Sequence, residues 1–347
     1  MTTRTAPFTP AVAAFVLAAM FAATASANFD TGKRAADGGD YVAAYNAWKP
    51  LAEGGEARAQ YALAVLLEQG KGIEPDYAQA MYWYLKAAEQ GHRAAQFNLG
   101  NMFRAGRGAP ADDGEAAKWY RQAAEAGHAP AQLNLGYMYA TGKGVEPDPA
   151  AAVSWYRKAA EQGETRAAYN LGSMYANGQG VEADAEIAQS YYQQAADAGV
   201  TDAQYALGRM YRDGAGIEVN DGEAVRWLRT AAEQGHPRAE FYLGTMYGLG
   251  RGVEQDHEQA VFWFARAARK DVVEAQEMMC TAYALGRGVK VDVVKAYAWC
   301  EVAAANNSKD AKEVRANLVP SMKKEQIEQA EEVARILRKD YIKAQSQ

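Results

Sequence analysis

The side chains in this 347-residue chain that could do chemistry are few and regularly placed. His92, His128 and His236 are candidate metal ligands. They occupy one position of a 36-residue spacing, however, and imidazoles standing one repeat apart cannot converge on a single ion. No His-x-x-x-His or Cys-x-x-Cys spacing supports a zinc site either. Each of the three follows the glycine that ends one helix, so a role at the start of the next is expected, and Pro237 after His236 suits a first helical turn. No metal and no cofactor are expected. Ser321-Met322-Lys323-Lys324 fits the serine-x-x-lysine element of penicillin-recognising enzymes. It lacks Ser-Asp-Asn and Lys-Thr-Gly partner elements, and Ser321 is read as helping to cap the last helix. Recurrent Gly-x-Gly pairs lack the full dinucleotide pattern and the phosphate-binding lysine. They sit between helices and are read as structural, so the chain is expected not to be an enzyme.

Cys280 and Cys300 are the only cysteines. Cys280 replaces a small residue that packs helix A on helix B of its repeat, and Cys300 replaces the second aromatic of helix B. A bridge between them and a pair of buried free thiols both stay open, because spacing does not give the Cα separation of about 4.4–6.8 Å that a disulfide needs.

The elements that carry these residues are set by the repeat. Gly70, Gly106, Gly142, Gly178, Gly214, Gly250 and Gly286 stand 36 residues apart without insertion or deletion. A period of this length marks a solenoid of stacked supersecondary units. In the second unit Ala95, Leu99, Met102 and Phe103 fall on one face of a helix A, which Gly106 ends in the left-handed conformation. Asp112 caps helix B, and Glu115 three residues later completes a capping-box pattern. Asp76, Asp148, Asp184, Asn220, Asp256 and Asp292 are the equivalent caps. Ala116, Trp119, Tyr120, Ala123 and Ala124 form the apolar stripe of helix B. The rings Trp83, Trp119, Trp155, Tyr191, Trp227, Trp263 and Trp299 are accordingly read as core.

The third unit shows the pattern in full: Ala131, Leu135, Gly136, Tyr139, Gly142, Gly144, Val145, Asp148, Ala152, Trp155, Tyr156, Ala159, Ala160, Glu161, Gln162 and Gly163. This resembles the Sel-one-like repeat, a relative of the tetratricopeptide repeat, over Ala59 to Asp310. The resemblance implies an all-α fold, a right-handed α-solenoid of seven helix-turn-helix repeats whose A helices line the concave side. It also implies an adaptor, with many bacterial members exported to work in envelope regulation, exopolysaccharide assembly or host interaction. Some cysteine-rich members are described as β-lactamases, so hydrolysis is an alternative, and the least favoured one because no nucleophile-base set accompanies Ser321. Residues 28–58 read as an N-terminal capping hairpin, 59–310 as the seven repeats and 311–347 as C-terminal capping helices.

Residues 1–27 read as a signal peptide. Arg4 precedes the 13-residue apolar run Ala11–Ala23, too short for the about 20 residues a membrane span needs, and Ala25-Ser26-Ala27 offers a cleavage site after Ala27. Cleavage removes one charge, Arg4, and takes the formal net charge from −6 to −7. That balance disfavours nucleic acid. A periplasmic or secreted monomer without a membrane span is expected, its partner another protein or peptide of the bacterial envelope.

Between the core positions of the A helices lie the side chains expected to face such a partner: Asn98, Asn101 and Arg104; Asn134 and Tyr137; Asn170 and Ser173; Arg209 and Arg212; Tyr242 and Thr245. The asparagines at one repeat position offer paired donors and acceptors to an extended backbone, and the arginines offer pairing to carboxylates. A glycan groove is the alternative, with Tyr137 and Tyr242 as its aromatic platforms.

Overall fold

A computed structural model describes residues 28–345, with side chains described to residue 338. The expected signal peptide lies outside the described residues. Among those described, every regular element is helical: α1 covers residues 28–37, and α2 is Tyr41–Glu53. Seven helix pairs follow. They begin with α3 (Ala57–Gln69) and α4 (Tyr77–Glu89), then α5 (Arg93–Ala105) and α6 (Asp113–Glu125), then α7 (Ala129–Thr141) and α8 (Pro149–Glu161). They continue through α9 (Thr165–Asn177) and α10 (Ala185–Asp197), α11 (Thr201–Asp213) and α12 (Asp221–Glu233), α13 (Pro237–Leu249) and α14 (His257–Ala268), and α15 (Val273–Leu285) and α16 (Val293–Ala305). The chain ends with α17 (Lys309–Leu318), a single 3-10 turn at Val319–Ser321, and α18 (Lys324–Gln345). This is an all-α solenoid. It divides into two compact units, the first ending at Ala167 and the second beginning at Ala168.

The helices begin and end where local chemistry requires. Asp76, Asp112, Asp148, Asp184, Asn220, Asp256 and Asp292 each accept a hydrogen bond from the amide three residues on. That bond satisfies a donor that a helix start leaves unpaired. The Gln79 amide, donating to Asp76, holds its carboxyl below the usual range. The reciprocal arm of the expected capping box is not made. The Asp112 amide already donates to the Phe103 carbonyl at 2.9 Å, so Glu115 turns outward and pairs with Lys118 at 2.5 Å.

The two loop glycines have different jobs. Gly142 takes φ 71° at the end of α7, the left-handed cap. Gly144 lies against the start of the preceding helix B, where a Cβ would come 2.1 Å from the Asp113 carbonyl oxygen. The second glycine therefore admits contact between one repeat and the next, beyond keeping its own turn compact.

In the first unit the core rings are Tyr84 and Tyr120, both fully buried, with Tyr156 close behind. Trp83, Trp119 and Trp155 are only half-buried, so the expected tryptophan core is displaced by one residue there. In the second unit Trp227, Trp263 and Trp299 are buried. Ahead of the first unit's repeats, the Trp48 indole donates to the Phe29 carbonyl at 3.1 Å and its ring rests on Gly32. At the other end Ala330 and Ala334 of α18 are buried against the second unit. Ser321 does not cap that helix: its hydroxyl donates back to the Leu318 carbonyl at 2.7 Å, and Gln326 accepts from the Lys323 amide instead.

Candidate functional site

In four of the seven repeats, a helix B ring sits against a helix A glycine. A Cβ at Gly100 would meet the Tyr120 ring at 2.7 Å; at Gly136 it would meet Tyr156 at 2.7 Å, at Gly172 Tyr192 at 2.6 Å, and at Gly244 Phe264 at 2.8 Å. These ring positions reach between the A helices, and their outer ends decide what the surface offers. Tyr84 donates to Glu68 Oε2 at 2.8 Å and accepts from Asn98 Nδ2 at 3.0 Å. Tyr120 donates to Asn101 Oδ1 at 2.6 Å. Burial raises the pKa of both hydroxyls, with Glu68 adding to the effect at Tyr84, so they remain protonated donors. Asn98 and Asn101 thus hold these ring hydroxyls in place with part of their hydrogen-bonding capacity.

The other expected surface residues fall into clusters. Arg104, Asn134 and Tyr137 line one cavity of the first unit together with Ala105, Asp113, Tyr120, Met138 and Lys143. Lys143 stands 5.4 Å from the centre of the Tyr137 ring. In the second unit Asn170 is half-buried, and Ser173 accepts from Asn177 through its carbonyl oxygen at 2.7 Å. Arg212 pairs with Asp213 at 2.6 Å while its guanidinium covers the Tyr242 ring at 3.7 Å. Arg209 reaches the same carboxylate at 3.8 Å. Tyr242 is further stacked on Tyr205, centroids 6.0 Å apart, and this leaves it little face to offer. Thr245 donates to the Phe241 carbonyl at 3.0 Å and lines a second cavity.

That second cavity, of about 170 Å³, is bounded by Thr245, Gly248, Leu249, His257, Ala260, Val261, Phe264, Met278, Thr281, Ala282 and Arg287. It lies between α13 and α15 and is floored by α14. The eight residues of the first-unit cavity occupy the same repeat positions, four repeats earlier: Arg104 corresponds to Gly248, Asp113 to His257, Tyr120 to Phe264, Asn134 to Met278, Tyr137 to Thr281 and Lys143 to Arg287, with Ala105 and Met138 matching Leu249 and Ala282. One backbone geometry presents a polar lining in the first unit and an apolar one in the second.

The cysteines sit at these same positions in the last repeat. Cys280 stands where five of the other six repeats have glycine and Cys300 where five have an aromatic ring, and they are joined in a disulfide with Cα atoms 5.0 Å apart. The free-thiol alternative is replaced by a covalent version of the ring-on-glycine contact. Both residues are buried.

Two rows of polar residues lie at helix ends, the histidines in the helix-start role expected of them and the glutamines in one that was not anticipated. His92, His128 and His236 cap the A helices, each Nδ1 accepting from the amide three residues on at 3.1–3.3 Å. Their rings pack against Tyr61, Phe97 and Tyr205, and burial lowers all three pKa values. Among the described residues no group of His, Cys, Asp and Glu side chains could hold a metal. Buried Gln60, Gln96, Gln132, Gln204 and Gln276 donate to the Ala52, Ala88, Ala124, Ala196 and Ala268 carbonyls at 3.0–3.3 Å. They satisfy acceptors that helix ends leave open. Glu240 replaces glutamine in this row, fully buried, and Arg266 and Lys270 each reach its Oε1 at 2.8 Å. The 36-residue recurrence of glutamine was the available signal for the row; the double cation at Glu240 had none.

The Sel1 repeat model matches seven times in succession, at residues 57–92, 93–128, 129–164, 165–200, 201–236, 237–272 and 273–308. Among solved structures, a Sel1 repeat protein from Oxalobacter formigenes is 34% identical over 85% of this chain and 86% of its own, with a TM-score of 0.67. The protective antigen c5321 of uropathogenic Escherichia coli is 28% identical over 91% of this chain and 84% of its own, TM-score 0.47. The immunity protein Pa5087 of Pseudomonas aeruginosa is 24% identical over 62% and 81%, TM-score 0.36. No curated protein matches the chain. The unbroken seven-fold match and the Oxalobacter likeness, added to the caps, glycines and rings described above, establish that this chain belongs to the Sel1 repeat family.

Proposed function

We propose that this chain is an exported, monomeric adaptor that binds another protein or peptide of the bacterial envelope along the surface between its A helices. The observation that carries this reading is the pair of corresponding cavities. Their floors and walls follow one repeat geometry, whereas the side chains that line them differ in polarity and charge. Side chains that served only stacking would follow the period, as the caps, glycines and alanines do. A lining that departs from it supplies recognition, which is where the function of a repeat scaffold resides.

Export is supported by the bridge between Cys280 and Cys300, since such bonds persist in oxidising compartments. No described helix is long and apolar enough to cross a membrane. A glycan ligand is less well served: of the two tyrosines expected as platforms, Tyr137 is 41% exposed but Tyr242 is covered by Arg212. A hydrolytic role for Ser321 finds no support in its environment, because its hydroxyl is engaged by a backbone carbonyl in a turn.

Affinity capture from envelope extract, wild type beside a variant carrying Arg104→Ala, Tyr137→Ala and Arg209→Ala, tests the reading. All three side chains are exposed, so folding is spared; replacing the Asn98 row instead would disturb the bond to Tyr84. Loss of a specific protein from the variant is expected. Capture of the same proteins by both, or of saccharide alone, contradicts the adaptor.

A further inference from the structure

From the second-unit cavity we infer that it is a receptor for a polypeptide C-terminus, taking one apolar terminal side chain while Arg287 holds the terminal carboxylate. The inference rests on the adaptor reading and gives it a ligand chemistry.

The cavity is apolar for identifiable reasons. Its floor ring is Phe264 where the first four repeats have tyrosine, so no hydroxyl needs a partner at the bottom. Met278 stands where Asn98, Asn134 and Asn170 stand, and Leu249 where the first unit has Ala105. Met278 and Leu249 are 38% and 62% exposed, an apolar rim that a folded chain leaves in water at a cost unless something covers it. The volume is set as well. A dry apolar cavity of about 150 Å³ holds a benzene ring, so 170 Å³ fits one leucine, methionine or phenylalanine side chain.

Charge selects what accompanies that side chain. One repeat earlier, Arg251 occupies the position of Arg287 and is held by Asp221 at 2.6 Å. Asp221 corresponds to His257, so the residue that would neutralise Arg287 has been replaced by a base. In the first unit an acid, Asp113, lines the same cavity as Lys143. Among the described residues no carboxylate forms an ion pair with Arg287, and none lines the cavity. The site thus combines an apolar slot with a cation lacking its counter-charge. An ionised carboxylate pairs with a guanidinium through two parallel hydrogen bonds. In an extended peptide successive side chains point to opposite faces, which carries an internal Asp or Glu beside the apolar residue away from the slot. A terminal carboxylate is attached to the same Cα as the buried side chain and stays at the rim.

The test is an NMR titration of the full chain with acetyl-Gly-Ser-Gly-Leu as the free acid and as the C-terminal amide. The acid should shift the Met278 methyl and the Arg287 side-chain signals saturably, and the amide should bind about tenfold more weakly. Arg287→Gln, a surface change that spares the fold, should bring the acid down to the amide. Met278→Asn, which restores the residue found in three earlier repeats, should weaken both peptides. Equal affinity for acid and amide, or no saturable shift with the acid, overturns the inference. If groove-dependent capture persists beside such a failure, the terminal pocket alone falls; if capture is lost from neither wild type nor variant, the adaptor reading falls whether or not the peptide binds.

Discussion

The first and second units carry the same cavity built from different side chains. Tyr120, its hydroxyl bound to Asn101, floors the first, and Asn134, Tyr137, Asp113 and Lys143 surround it. Phe264 floors the second, beneath Met278, Thr281, His257 and Arg287. The helices, caps and loop glycines that hold the two are interchangeable, so stacking leaves the lining free to vary. What differs between the units is therefore the chemistry of the lining, and what they share is the frame that holds it.

The largest break in this comparison comes from removing a floor ring. Tyr120→Ala empties a fully buried site against Gly100 and should cost about 3–5 kcal/mol in chemical denaturation, as large-to-small core changes do. A loss below about 1 kcal/mol would show that the ring is not the core of its repeat.

The disulfide gives the next effect. Its 20-residue separation predicts about 3 kcal/mol from restriction of the unfolded chain, read as the stability difference between the oxidised protein and Cys280→Ser/Cys300→Ser. Replacing the pair by Cys280→Gly and Cys300→Tyr should recover part of that loss, because it restores the ring-on-glycine contact of the first unit. No recovery would mean that the bridge does more than substitute for a ring.

Smaller still is Tyr120→Phe, which gives the first unit the floor of the second. It keeps the packing and removes the bond to Asn101, with an expected cost of about 1 kcal/mol by thermal denaturation.

The smallest effect is a pH dependence. His92 and His128 in the first unit and His236 in the second accept helix-start amides through Nδ1, and burial lowers their pKa values. The unfolded chain then binds more protons just below pH 6.5, so this stability is complete above about 6.5 and is lost as pH falls towards the folded values. Roughly a few tenths of a kcal/mol per histidine are expected. The Asp202 carboxylate, 3.5 Å from His236 Nε2, favours its charged form and should make the second unit's share smaller. A titration of stability against pH in which His92→Val and His128→Val remove no dependence would contradict the capping role.

Most of the fold was legible because each repeat writes its own helix ends: an Asp or Asn before helix B, a glycine after helix A, and alanines at helical spacing between them. Contacts between neighbouring repeats were less legible. Glu115 completes a capping-box pattern in sequence, but the Asp112 amide is already bound by Phe103 of the preceding helix, and no local rule reports that. Gly144 looks like a turn residue until the preceding repeat is stacked against it. The surface rows lie on the A helices at recurring repeat positions, but Asn98 is partly bound to Tyr84 and Tyr242 lies under Arg212. His257, where Asp113 and Asp221 stand, and Met278, where three repeats have asparagine, stood in plain view in the sequence, and their meaning depended on the cavity they share.

Amide hydrogen exchange of the chain with and without a partner captured by it bears most directly on the adaptor reading. Slowed exchange on the A helices, in α5 and α7 of the first unit and in α13 and α15 of the second, is the predicted result. Protection confined to B helices, or to neither set, would contradict an adaptor that binds between its A helices.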